Sequence, residues 1–130
     1  MKHLAIFSPD AVKFIFSGKK KIDGRFSRIK IAPFAKVSAG DTVYIKVSGE
    51  KIVGQFLVDR VLYFDHPKEE ELESLIKKYR NDLIMPKSFW LSHEKANFVS
   101  LMFIKSVTKF IVAPEFIKKD LRPWVVLEGE

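Results

Sequence analysis

The spacing of hydrophobic and polar positions changes period several times along this 130-residue chain. His3 to Phe7 is a short apolar run of strand length. Ser8-Pro9-Asp10 then predicts a helix start: Ser8 can cap, Pro9 suits the first helical position, and Asp10 favours the positive end of the helix dipole. Val12, Ile15 and Phe16 fall on one face of that helix, and Gly18 predicts its end. Lys21 to Ser27 reads as extended, with Ile22 and Phe26 apolar and Gly24 allowing close approach of a neighbour. Ile29 to Ala39 has no steady period. Thr42 to Val47 alternates strictly, with Val43, Ile45 and Val47 on one face. The turn SGEK leads into a second arm, Ile52 to Phe64, in which Ile52, Phe56, Val58, Leu62 and Phe64 are expected to share a face and Gly54 to mark a bulge or bend.

Pro67 to Tyr79 carries the clearest helical period, with Leu72, Leu75, Ile76 and Tyr79 on one stripe. Three of its glutamates, Glu69 to Glu71, lead and its basic residues close, which suits the helix dipole and needs no other explanation. His66 sits where a cap is expected. A short helix is predicted from Pro86 through Trp90 to Ala96, a long strand over Phe98 to Val112 and a last one over Trp124 to Leu127. Strands outnumber helices, and tight turns join neighbours. The pattern predicts an α+β, mostly β chain. About five to six mainly antiparallel strands would curl into a small barrel with two or three helices packed on it, as one domain over residues 1–130.

Composition narrows the chemistry. The chain is 47% hydrophobic with 12 Phe, enough for a sizeable core. With no cysteine, disulfides and thiolate metal sites are excluded, which fits a cytoplasmic setting. No secretory leader is visible, and no apolar run approaches the roughly 18 residues of a membrane span. His3, His66 and His93 have no metal-ligand spacing, so no metal and no cofactor is expected. Neither a phosphate-cradling glycine loop nor a nucleophile elbow is present.

Charge points further. The net charge is +7, and residues 1–60, with twelve basic and five acidic residues, carry all of it. The basic residues concentrate in SGKKKIDGRFSRIK, Ser17 to Lys30, around one acid, Asp23. A polyanion such as nucleic acid is the partner such a patch suggests; a solvated lysine-rich surface is the plain alternative. On an extended segment Asp23 and Arg25 point to the same side, and a turn at Gly18 would let Lys20 join them. Asp23 could pair structurally with Arg25, orient it toward a ligand, or hold a water. Lys19, Lys20 and Lys21 could contact phosphate or simply offset the helix C-terminus. Ser27, Arg28 and Lys30 extend the patch, and Trp90 is the best candidate to stack on a base, with core packing as its other role. Trp124, in an apolar strand, reads as core.

These residues resemble a known family. IFSGKKKIDGRFS is similar to the signature of ASCH domains, in the PUA-like superfamily: a helix, then Gly-x-Lys and a later acid and Arg entering a strand. Gly18, Lys20 and Arg25 match, and Asp23 stands where a Glu is usual. KVSAGDTVYIKVSG, IVGQFLVDRVLYFD, Phe89-Trp90, VSLMFI and RPWVVL are similar to later blocks of a bacterial and archaeal single-domain branch, in order, over nearly the whole chain. The resemblance implies a PUA-like pseudobarrel with a cleft lined by the Gly-x-Lys loop, and binding of RNA or a nucleotide. Some members resemble amidohydrolases that deacetylate acetylated cytidine with a Lys, a Thr and a Glu. Lys20 stands at the Lys position, and Asp23 where the Thr would be, so that hydroxyl nucleophile is missing.

Three functions therefore stand side by side. The first is an RNA- or nucleotide-binding domain with a basic cleft edged by residues 18–30, using Lys19, Lys20, Lys21, Arg25, Ser27, Arg28, Lys30 and Trp90. The second is a hydrolase of a modified nucleoside, with Lys20 as base or electrostatic stabiliser and Asp23 activating water. The third is a module for an acidic protein partner. Ligand identity, turnover and oligomeric state are not legible in the residues.

Overall fold

The computed structural model of the chain describes residues 1–92, 96–112, 114 and 122–127. The elements in chain order are β1 (Lys2–Phe7), α1 (Pro9–Phe16), β2 (Ile22–Ser27), β3 (Thr42–Val47), β4 (Ile52–Asp65), α2 (Glu69–Leu83), α3 (Lys87–Ser92), β5 (Phe98–Lys109) and β6 (Trp124–Leu127). All six strands form one curled sheet in the order β2-β5-β4-β3-β1-β6. Every pairing is antiparallel except β1 with β3. A parallel pair needs a long crossover, and α1, β2 and the loop after it supply one. The periodicity predicted a mostly antiparallel sheet curled into a small barrel with two or three helices; among the described residues it is a half-barrel with three.

Local chemistry sets the boundaries. Ser8 caps α1 by accepting from the Ala11 N–H at 3.2 Å, and Pro9 opens the helix. Gly18 then takes a positive φ of 80°. Helix α2 starts at Glu69 behind Lys68, not at Pro67 behind His66, and it runs on to Leu83. His66 instead has φ 50° and pairs with Asp65 at 2.6 Å. Strand β5 stops at Lys109, so Ile111 and Val112 lie outside it, exposed. The predicted third helix ends at Ser92, and residues 93–95, including His93, lie outside the described part.

Two apolar layers hold the sheet. The inner one gathers Ala5, Phe7, Val43, Ile45, Phe56, Val58, Met102 and Trp124 with Val12 and Ile15 of α1. The outer one packs Ile22, Phe26, Val99 and Leu101 under Leu72, Leu75 and Leu83 of α2. Strand β4 serves both layers, because its register slips between Val58 and Arg60. Before the slip Phe56 and Val58 face inward; after it Val61 and Tyr63 do, while Leu62 and Phe64 turn to α2. The single face expected for Ile52, Phe56, Val58, Leu62 and Phe64 is thus broken, since one extra residue reverses every later side chain.

A polar network pins the strand β1 side. Trp124 Nε1–H donates to His3 Nδ1 at 3.2 Å, and His3 Nε2 meets Asp41 Oδ2 at 2.8 Å. Indole nitrogen only donates, so His3 Nδ1 accepts and Nε2 carries the hydrogen given to Asp41. Asp41 also accepts from the Ser38 N–H at 3.0 Å and from the N-terminal ammonium at 3.3 Å. Burial alone would push its carboxyl up; those hydrogen bonds outweigh it and hold the group below its ordinary value.

Candidate functional site

The two ends of the sheet order, β2 and β6, meet across a seam with no backbone ladder: β2 pairs only with β5, and β6 only with β1. Where β6 runs beside β1, the Ile6 N–H donates to the Pro123 carbonyl at 2.9 Å. The return bond cannot form, because proline has no N–H. Arg25 of β2 fills the gap. Its Nη2 donates to the Ile6 carbonyl at 3.2 Å and its Nη1 to the Pro123 carbonyl at 3.4 Å. The guanidinium lies 4.9 Å from the Phe7 ring centre and 5.2 Å from that of Trp124. Its Nε–H is shared between the two Asp23 oxygens, at 3.1 and 3.2 Å. Arg25 is therefore committed to the scaffold along its whole fork.

On one side of Arg25 the seam opens into a cavity of about 400 Å³. Lys20, Asp23 and Arg25 supply its polar end, and Phe14, Phe89, Met85 and Ile84 its apolar walls. The turn at Gly18 brings Lys20 there: its N–H bonds the Phe14 carbonyl at 3.0 Å, while the next N–H, of Lys21, reaches Asp82 at 3.0 Å. Lys20 is only 3% exposed, and its Nζ donates to the Leu83 carbonyl and lies 3.7 Å from Met85 Sδ. Leu83 ends α2, so its carbonyl is one of those a helix leaves without an internal partner. Gly24 makes the approach feasible. A Cβ there would stand 2.6 Å from Leu83 Cδ2. Burial pulls the Lys20 amine below its ordinary value, the carboxylate of Asp23 opposes that, and the nearby Arg25 charge adds to it.

Asp23 is 3% exposed, and among the described residues its two oxygens receive one N–H between them, although a carboxylate has about four acceptor positions. The unused acceptor capacity borders the cavity. The cavity's ionisable groups, Lys20, Arg25, Asp23 and Asp10, are two of each sign. It is not itself a phosphate trap; it is an apolar slot with one donor and one acceptor at its closed end.

The remaining candidates lie around this slot. Lys19 and Lys21 are exposed on either side of Lys20 in the chain, and Arg28 and Lys30 are exposed beyond β2. Ser27 donates to the Ile29 carbonyl at 2.8 Å and lines a smaller cavity, about 180 Å³, on the far side of Arg25. Trp90 packs edge-on against Phe26 and Phe89, with Arg80 5.7 Å from its ring, and borders a groove along α2 instead of the slot. Sequence reasoning missed Phe14, Met85 and the Leu83 carbonyl, because only tertiary packing brings them to Lys20. Among the described residues no group of His, Asp or Glu is arranged to hold a metal, and no helix is long and apolar enough to cross a membrane.

The fold has counterparts among solved structures. The chain superposes on a serine-to-alanine variant of the ASCH protein of Zymomonas mobilis with a TM-score of 0.72, over 97% of this chain and 87% of that one, at 14% identity. The chain has the ASCH fold. A tyrosine-to-phenylalanine variant of the same protein gives 0.70 over 97% and 89%, also at 14% identity. A hypothetical protein, PH0355, gives 0.56 over 81% of this chain and 98% of that one at 20% identity. No protein-family profile and no curated protein matches the sequence. In this ASCH fold, the β2 block carrying the quoted signature forms one wall of the seam cavity.

Proposed function

We propose that this chain is an ASCH-family, PUA-like domain that binds RNA or a nucleotide by taking a base into the seam cavity. The observation that carries this reading is Asp23: a buried carboxylate with spare acceptor capacity at the end of an aromatic-walled slot. It would accept from an exocyclic amino group on a base edge, while Lys20 donates to a neighbouring ring nitrogen or carbonyl. Phe14 and Phe89 provide ring-sized apolar walls. Phosphates would stay outside, met by Lys19, Lys21, Arg28 and Lys30, which are exposed and add salt-dependent affinity without base readout. Arg25 acts here by holding Asp23, because each of its three nitrogens already bonds the scaffold.

The test is titration of the four nucleosides, single-stranded RNA, transfer RNA and duplex DNA at several salt concentrations. The reading expects a nucleoside with an exocyclic amino group to bind better than uridine, and RNA affinity to fall steeply with salt. Equal, weak binding of all ligands would end it; retention of an acidic protein with indifference to RNA would favour a protein partner.

A second reading is hydrolysis of an acylated nucleoside. Lys20 and Asp23, both buried, border the same cavity, where Asp23 could hold a water and Lys20 take its proton. The missing hydroxyl nucleophile makes water the only attacking group in that scheme. No turnover across a panel of acylated nucleosides would remove it.

A further inference from the structure

Lys20 combines features that base binding alone does not require. Its amine is buried yet borders a cavity of about 400 Å³. Among the described residues it forms no ion pair, and burial of an unpaired ammonium is costly. Its two acceptors, the Leu83 carbonyl and Met85 Sδ, both come from the end of α2. A neutral amine has two hydrogens and one lone pair. Those acceptors match the hydrogens and leave the lone pair for the cavity. Desolvation and a neighbouring cation favour a nucleophilic lysine; burial supplies the first and Arg25 the second, and burial prevails over the opposing carboxylate of Asp23.

We propose that Lys20 is a carbonyl-reactive amine that forms an imine with small aromatic or apolar aldehydes and ketones entering the seam cavity. The Nζ lone pair adds to the carbonyl carbon, giving a carbinolamine. Asp23, on the cavity wall, takes the proton lost by nitrogen and returns it to the departing hydroxyl, which leaves as water as the C=N bond forms. The walls formed by Phe14, Met85 and Phe89 limit the water that would reverse the reaction. This inference shares the cavity with the base-binding reading but uses the neutral amine, whereas donation to a base uses the third hydrogen of the ammonium, so nucleoside titration can fail while the imine forms, or the reverse.

The experiment treats the intact protein at neutral pH with limiting benzaldehyde, reduces any imine with borohydride and maps benzylated lysines by peptide mass spectrometry. Lys20 is expected to be labelled several-fold faster than the exposed Lys19 and Lys21, because a desolvated amine holds more of its neutral, nucleophilic form at neutral pH. The comparison is internal to the wild-type protein, so it survives any variant that fails to fold. Labelling confined to exposed lysines, or equal at all lysines, overturns the proposal. Lys20→Arg keeps a donor to Leu83 and is expected to abolish the fast label alone. Asp23→Asn is expected to slow it, and an unchanged rate would overturn the part given to Asp23.

Discussion

Asp23 and Asp41 are both buried acids, 3% and 7% exposed, and they are built for different ends. Asp41 receives hydrogens from His3, the Ser38 backbone and the N-terminal ammonium, and is spent on holding β1, β3 and the Trp124 strand together. Asp23 receives one N–H from Arg25 and opens onto a cavity. Burial alone therefore does not separate a scaffold carboxylate from one available to a ligand; the count of donors does. A buried acid with unmet acceptors costs stability, and such groups tend to gather where a ligand completes them.

The comparison can be broken most severely at Arg25. Arg25→Met should leave Asp23 buried without its donor and the Ile6 carbonyl without the guanidinium, at a cost of about 3–5 kcal/mol in urea unfolding. Adding Asp23→Asn to that variant should recover part of the loss. Next comes Asp41→Asn, which should cost about 2–3 kcal/mol, since a charged acceptor with three donors is lost. It should also flatten the acid limb of the stability curve. The folded carboxyl lies below its ordinary 3.8, so its contribution is present above pH 3.8 and is lost as the pH falls through the folded value. Nucleoside affinity should not change.

Asp23→Asn should reverse that pattern, with stability within about 1 kcal/mol of wild type. Affinity for an amino-bearing base should fall by about 1–3 kcal/mol in calorimetric titration. If Asp41→Asn weakened binding equally, the distinction between the two acids would be lost. The smallest effect is expected from Lys20→Met. Because the folded amine lies below its ordinary 10.5, the unfolded chain binds more protons in the window beneath that value, and stability rises with pH there. The variant should lack this slope. Readings belong below pH 10.0, before ionisation of Tyr63 acts; burial raises that phenol, so its contribution is lost only as the pH rises through the higher folded value.

Local pattern carried most of the architecture. The caps of α1, the alternation of β3 and the limits of β6 are all properties of residues a few positions apart. The cluster of Lys20, Asp23 and Arg25 was legible for the same reason, as one turn followed by one strand. Other features were hidden because they join distant segments. Arg25 meets Pro123, 98 positions away, and its task follows from a hydrogen that proline lacks. His3 gave no signal, since its partners are 38 and 121 positions distant. The face switch in β4 escaped because no glycine marks the slip at Val58 and Arg60.

The missing N–H of Pro123 has a consequence for motion. In a closed barrel every strand is clamped by a ladder on both sides, and widening any gap breaks several backbone bonds together. Here, among the described residues, one guanidinium bonds β2 across the seam to Ile6 of β1 and to Pro123, just before β6. Parting β2 from that seam would break no backbone ladder of the sheet. Hydrogen exchange should detect this as faster, locally gated exchange at β2 amides than at those of β3, and a bound base should slow it. A single side chain thus serves as the latch of an otherwise continuous wall.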